Sequence, residues 1–267
     1  MKHCIILYFL VSMTFPATLH AAPPSEPDLN ELTAADEALA QKKAVSSACF
    51  SYNDLNSRIR DGKIKKAAAR TELMQILSDV KKEYYLRGGR DISATEWIFP
   101  LASYDMRAID GSRTHGFAPG GYDFFTGNRH GGHPALDIFI KDRNQDNLDD
   151  RSGKRVKVLS MSGGIVVALE QTWEQTSGLR GGKYIWVYDP ASELLLYYAH
   201  NEEVLVQLGQ IIIPGDTLAT VGRSGLNAAK RRSPTHLHFS VLKLVNGQPL
   251  PLNVYKDLLR TRKMAAP

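Results

Sequence analysis

The sequence predicts a mainly β domain built on an antiparallel sheet and preceded by an N-terminal α-helical hairpin. Three observations carry that prediction. From Trp97 onward the composition turns to Gly, Tyr, Phe, Val and Ile, in short alternating runs set apart by glycine-containing turns. Ahead of it, Leu29 to about Tyr85 is rich in Ala, Lys, Glu, Leu and Gln and holds no proline. The 267 residues, 43% hydrophobic and 23% charged, suit one large domain or a medium domain with a smaller appendage, and exclude disorder and fibre.

The elements follow in chain order. Met1 to Ala21 reads as a secretory signal peptide: a basic start at Lys2 and His3, an apolar stretch from Cys4 to Phe15, and a small-residue exit with cleavage after Ala21. Nothing downstream supplies the roughly 20 apolar residues a membrane span needs, so the expectation is an exported protein with no span after signal cleavage, periplasmic, envelope-associated or secreted. Ala22 to Pro27 is Pro-rich. Residues 22–92 form the helical region, a regulatory or positioning element, broken in two at Asp61-Gly62. Its second helix places Ile64, Ala68, Leu73, Ile76, Leu77 and Val80 at helical spacings and stops at Gly88-Gly89. Residues 93–267 form the β domain. Strands are expected at Ala135–Ile140, Val156–Ser160, Gly164–Glu170, Tyr184–Tyr188, Leu194–His200, Thr217–Val221 and His236–Lys243. Turns separate them, at Ser162-Gly163-Gly164, Gly178 to Gly182 and Pro214-Gly215-Asp216 among others.

With the signal removed, Cys49 is the remaining cysteine. It cannot form an internal disulfide and reads as a small buried hydrophobe, so the fold must rest on its core, to which a metal could add. A formal charge of +5 over the whole chain is mildly basic. That balance suits anionic cell-envelope polymers; export and the lack of a basic-aromatic cluster argue against nucleic acid.

The histidines gather in three places. In Thr235-His236-Leu237-His238-Phe239-Ser240-Val241 a period of two sends Leu237, Phe239 and Val241 to the core and puts His236, His238 and Ser240 on the other face. His133 and Asp137 are offset by four, an even number that keeps both on one face of an extended segment, while Pro134 disfavours a helix through His133. His130 has the wrong parity and reads as a groove residue. His200 closes the apolar run Leu194 to Ala199. Two imidazoles on one strand face, beside a His and Asp pair, are what a metal site with adjacent acid/base groups requires.

In their order these motifs resemble the lysostaphin/LytM-type zinc metallopeptidases. His133-x-x-x-Asp137 is similar to that family's first motif, Gly163-Gly164-Ile165-Val166 to its Gly-x-Val step and Tyr198-Ala199-His200 to its middle motif. Pro214-Gly215-Asp216 with Val221 to Gly225 resembles its glycine-rich approach, and His236-Leu237-His238-Phe239 closes the series. The resemblance spans about Trp97 to Lys243. It implies a LytM-type domain, a duplicated hybrid motif of antiparallel sheet. It also implies one Zn2+ per chain on His133, Asp137 and His238, with water in the fourth position and with His200 and His236 as catalytic residues; which of the two is the base stays open. The expected activity is zinc-dependent endopeptidase hydrolysis of amide bonds in peptidoglycan stem or cross-bridge peptides. Two alternatives are a non-catalytic LytM-like activator of a cell-wall amidase and a zinc peptidase acting on secreted proteins. A module that only activates typically loses ligands, and this chain keeps them.

Departures from the pattern are Ala135, where glycine is common, Asn201 after His200, where leucine is common, and a long loop from Leu226 to Thr235 carrying Lys230, Arg231 and Arg232. The loop reads equally as a solvated segment or as a contact for acidic substrate groups. Tyr197 and Tyr198 read as alternate groove and core positions. A second ion site, for Ca2+, is suggested by the alternating oxygen ligands of Asp142 to Asp150. Asn147 stands at its glycine position and Gly153 where a bidentate acid belongs; the bland reading is a polar connector. The oligomeric state is not legible.

Overall fold

The computed structural model of the chain describes residues 47–264. The signal-peptide reading and the start of the helical region lie outside the described residues. The first described element is a helix, α1 (47–60), followed by α2 (Lys66–Leu86). Between them Gly62 takes φ 68°, which only glycine adopts freely, so the chain reverses where Asp61-Gly62 was expected to break it. α2 is made of strong helix formers and buries Ala69, Leu73, Ile76, Leu77, Val80 and Tyr84. Its buried alanine is Ala69; Ala68 is exposed, and Ile64 precedes the helix. Gly88, at φ 86°, ends it as expected.

Among the described residues nine strands make one antiparallel sheet: β1 (Ala135–Phe139), β2 (Lys157–Leu159), β3 (Gly164–Glu170), β4 (Lys183–Asp189), β5 (Leu194–Val204), β6 (Ile211–Ile212), β7 (Thr217–Val221), β8 (His236–Val245) and β9 (Gln248–Pro251). The path runs β1-β8-β5-β4-β3-β6, with β7 on β5, β2 on β7 and β9 on β8. All seven expected strands form. β6 is too short to leave an alternating pattern, and Pro249 and Pro251 mask β9, an arrangement tolerated at a sheet edge. A short helix, α3 (Tyr255–Leu258), closes the described chain.

Alternation sorts the strands into two cores. One face sends Leu136, Ile138, Val166, Ile185, Val187, Leu196, Tyr198, Leu237, Phe239 and Val241 into a core closed by the loops between Ile92 and Ile109. The other sends Ile165, Val167, Trp186, Tyr188, Leu195 and Leu242 against Tyr52 and Leu55 of α1 and Leu73, Leu77 and Val80 of α2. Each large aliphatic side chain buried there stabilises the fold by about 1.5–3 kcal/mol. The two helices therefore share a core with the sheet, and the described residues belong to one compact unit. Cys49 lies within this second core, fully buried, as read from the sequence. The helix also guards a sheet edge: Asn53 Oδ1 accepts from the Leu169 amide of β3 at 3.1 Å. Among the described residues no helix is long and apolar enough to cross a membrane.

Candidate metal centre and active-site cleft

β1 and β8 pair so that Asp137 stands directly across from His238 and Phe139 from His236. The parity argument holds: Leu237, Phe239 and Val241 are in the core, while His236, His238 and Ser240 take the opposite face. Cross-strand register brings His238 Nδ1 to 3.0 Å from Asp137 Oδ1. His133, two residues before β1, reaches Asp137 Oδ2 with Nε2 at 3.3 Å. One ligand atom from each of His133, Asp137 and His238 lies within 4.8 Å of the others, and among the described residues no other such group of His, Cys, Asp and Glu occurs. Two nitrogens and a carboxylate oxygen are a donor set that fits zinc, and three protein ligands leave a position open.

The other imidazoles converge from neighbouring strands. The His200 and His236 ring centroids are 4.9 Å apart, and those of His200 and His238 5.3 Å. His236 Nε2 is 3.7 Å from Asp137 Oδ1. Backbone carbonyls fix how the rings point. His133 Nδ1 lies 2.7 Å from Gly116 O, His200 Nδ1 2.8 Å from Ser224 O and His236 Nδ1 2.7 Å from Pro234 O. A carbonyl can only accept, so each Nδ1 carries a proton, and Nε2 of each ring is the atom left to face the cleft.

His200 is the most constrained of the five. It holds φ 67° at a non-glycine residue inside β5, and its amide donates to Gly181 O at 3.0 Å. Gly225 lets it sit there, since a Cβ on that residue would fall 2.9 Å from His200 Nδ1. The next residue, Asn201, is fully buried and donates Nδ2 to Lys183 O at 3.1 Å and to Tyr198 O at 3.0 Å. It stitches the irregular register between β4 and β5 that turns His200 toward the cleft. The sequence flagged Asn201 only as a departure.

Burial pushes His200 well below the ordinary histidine range, with His236 and His238 adding to the effect. Burial also lowers His238, against the pull of Asp137. At His133 burial acts downward but the Asp137 carboxylate outweighs it, and the ring ends above its usual value. Asp137 itself is held well below the carboxylate range, because hydrogen bonds from His133 and His238 outweigh burial.

These groups open into a cleft of about 330 Å³. Tyr197 lines it while Tyr198 is core, as their alternation implied. His130 is on its wall and outside the metal-ligand group, edge-on to Tyr122 at 4.7 Å. His115 is elsewhere, stacked on Tyr255 at 3.6 Å. Asn56, Ile59 and Arg60 of α1 form part of the wall, a contribution no motif announced. The basic loop meets the rim: Asn227 and Ser233 line the cleft, while Lys230, Arg231 and Arg232 are exposed. Arg223 pins that loop through Ser233 O at 2.6 Å and Lys230 O at 3.0 Å.

The calcium reading of Asp142 to Asp150 gains no support. Asp142 is buried and already accepts from Asp146 N at 3.1 Å, Asn147 N at 2.9 Å and Thr235 Oγ1 at 2.6 Å. Asp149 accepts from Tyr104 Oη at 2.8 Å, and Asp150 from Arg143 N at 3.2 Å. The carboxylates face protein donors instead of one point, so the segment is a polar connector tied to the start of β8.

Residues 145–251 match the model of peptidase family M23. The M23 match covers β2 to β9, with His200, His236 and His238, and begins after His133 and Asp137. It bears out the resemblance read from the motifs. No curated protein matches the chain. Among solved structures, a candidate glycyl-glycine endopeptidase LytM from Ruminococcus gnavus aligns with TM-score 0.42 and 18% identity over 76% of this chain and 75% of that one. The catalytic domain of lysostaphin from Staphylococcus simulans gives 0.35 and 20% over 49% and 82%. A zinc-containing peptidase from Vibrio cholerae gives 0.37 and 23% over 61% and 41%.

Proposed function

We propose that the chain is an exported, zinc-dependent endopeptidase that hydrolyses amide bonds in the stem or cross-bridge peptides of peptidoglycan. The observation that carries the reading is the convergence of five side chains: His133, Asp137 and His238 as candidate ligands of one zinc ion, with the Nε2 atoms of His200 and His236 facing the same cleft. The M23 match and the ordered motifs support peptide hydrolysis. The mildly basic chain, its signal-like N-terminus and the cationic rim support an anionic envelope substrate.

A zinc ion held there would polarise the scissile carbonyl and lower the pKa of a bound water towards about 7. The protein's own groups would move the protons. We assign the acceptor role to His200, which burial keeps neutral with its Nε2 lone pair exposed to the cleft. We assign the oxyanion contact to His236, whose Nε2 faces the cleft 3.7 Å from Asp137 Oδ1. As the water oxygen bonds to the carbonyl carbon its proton passes to His200. When the C–N bond breaks, that proton leaves with the amine. Gly116, Pro234 and Ser224 hold the ring orientations throughout. The α-hairpin acts as a positioning element through the α1 residues in the cleft wall.

Zinc content by mass spectrometry, read beside turbidity clearing of purified peptidoglycan, tests the proposal. The expected result is about one zinc per chain with clearing, and loss of both in His238→Ala. Zinc without clearing would move the substrate to secreted proteins; a chain that takes up no zinc would point to the amidase-activator alternative.

A further inference from the structure

Two arginines line the cleft, and their surroundings differ. Arg60 of α1 is neutralised, pairing with Asp61 at 2.8 Å and Glu170 at 3.1 Å. Arg180 has no such partner. Half-buried, it donates Nη1 to His130 O at 2.8 Å, and among the described residues no carboxylate is within ion-pair reach of it. The rest of its guanidinium fork is uncommitted. Its positive charge is felt at His130 and at Tyr197, both cleft residues.

The backbone that carries Arg180 is fixed on both sides. Asn128 donates Nδ2 to Gly178 O at 2.9 Å and accepts from Arg180 N through Oδ1 at 3.3 Å. Leu226 N donates to Leu179 O at 3.0 Å. The Arg180 carbonyl packs so tightly that a Cβ on Gly225 would lie 2.4 Å from it, and Gly225 in turn borders His200. The backbone at Arg180 is thus fixed next to Gly225, which borders His200, and the guanidinium at His130 O has no protein anion to balance it. A guanidinium drawn partly out of water is unfavourable until an anion meets it, and its planar fork matches a carboxylate in two parallel hydrogen bonds.

We propose that Arg180 is a specificity-determining residue that receives a carboxylate of the peptide substrate beside the scissile bond. This rests on the reading of the cleft as a peptide-hydrolysing site. The carboxylate has two sources, the free C-terminus of a peptide or an acidic side chain, and paired probes separate them.

The test uses the full zinc-loaded chain and four peptides: acetyl-Ala-Gly-Gly-Ala with a free C-terminus, its amide, and amidated versions carrying Glu or Gln in place of the last alanine. Binding is measured by calorimetry and cleavage by chromatography, for wild type, Arg180→Met and Arg180→Lys. Wild type binds one acidic member at least about tenfold more tightly than its neutral partner, a difference of about 1.4 kcal/mol. Arg180→Met brings that ratio to about one and leaves the neutral peptides unaffected; Arg180→Lys recovers part of it. Preference for the free terminus over the amide assigns the α-carboxylate, and preference for Glu over Gln the side chain. If Arg180→Met fails to fold, Arg180→Gln takes its place. A ratio that is the same in wild type and variant, no preference in wild type, or no binding at all overturns the proposal. An Arg180-dependent preference without cleavage upholds it and removes the hydrolytic reading instead.

Discussion

His200 sits at φ 67°, a region that disfavours side chains by roughly 1–2 kcal/mol, and it is held there by hydrogen bonds at both its amide and its ring. Its replacements separate strain from chemistry. His200→Ala keeps the backbone penalty and loses the ring, whereas His200→Gly loses both. Both variants should retain zinc and lose about 10²–10⁴-fold in turnover, yet the glycine variant should melt above the alanine variant by about 1 kcal/mol of stability. Equal melting of the two in calorimetry would refute the strain; a drop in zinc content would place His200 among the ligands. At this scale the sequence was legible where parity decides. The even offset of His133 and Asp137 and the period of two across His236 and His238 place side chains without knowledge of the partner strand. Asn201 and Arg180 were not legible, because their roles come from register shifts and turn contacts between segments far apart in the chain.

At the scale of elements, the hairpin packs with a buried acid inside it. Burial lifts Glu83 of α2 to about pKa 7 despite Arg87 at 3.3 Å. A carboxyl raised above its unfolded value of about 4.5 binds more protons in the folded state between those two values, so stability falls as pH rises through that window. Glu83→Gln removes the effect. Its melting temperature relative to wild type should climb between about pH 4.5 and 7 and level off above, by roughly 2–4 °C for each kcal/mol gained. A constant difference across that range would show the acid to be solvated. The contact between α1 and the Phe124–Arg129 turn is equally tight: Gly127 takes φ 55°, and a Cβ there would fall 2.1 Å from Ile59 O. Gly127→Ala should cost about 1–3 kcal/mol in denaturant unfolding and weaken substrate binding, because α1 supplies part of the cleft wall. Unchanged stability and KM would detach the helix from the site. The long strands and both helices were readable from periodicity. β6 and β9 were not, since two residues cannot alternate and prolines argue against a strand until an edge is known to be available.

For the molecule as a whole, the helices and the sheet cannot be treated as separable parts. Deleting residues 22–90 uncovers the sheet face formed by Ile165, Val167, Trp186, Tyr188, Leu195 and Leu242. The truncated chain should aggregate instead of gaining activity, as size-exclusion chromatography would register. A soluble, active truncation would make the hairpin a detachable regulator. The sequence announced a change of composition near residue 90 but not the shared core, since the apolar stripe of a helix does not name the surface it covers.

The pairing of β1 with β8 also sets when the candidate site can form. Asp137 and His238 are 101 residues apart in the chain and face each other across one ladder. A polypeptide emerging from the ribosome therefore holds scattered histidines and no site until one of its last strands docks between β1 and β5. Fragments that stop before His236 therefore lack one of the three candidate ligands, and the donor group is assembled only once β8 has paired with β1.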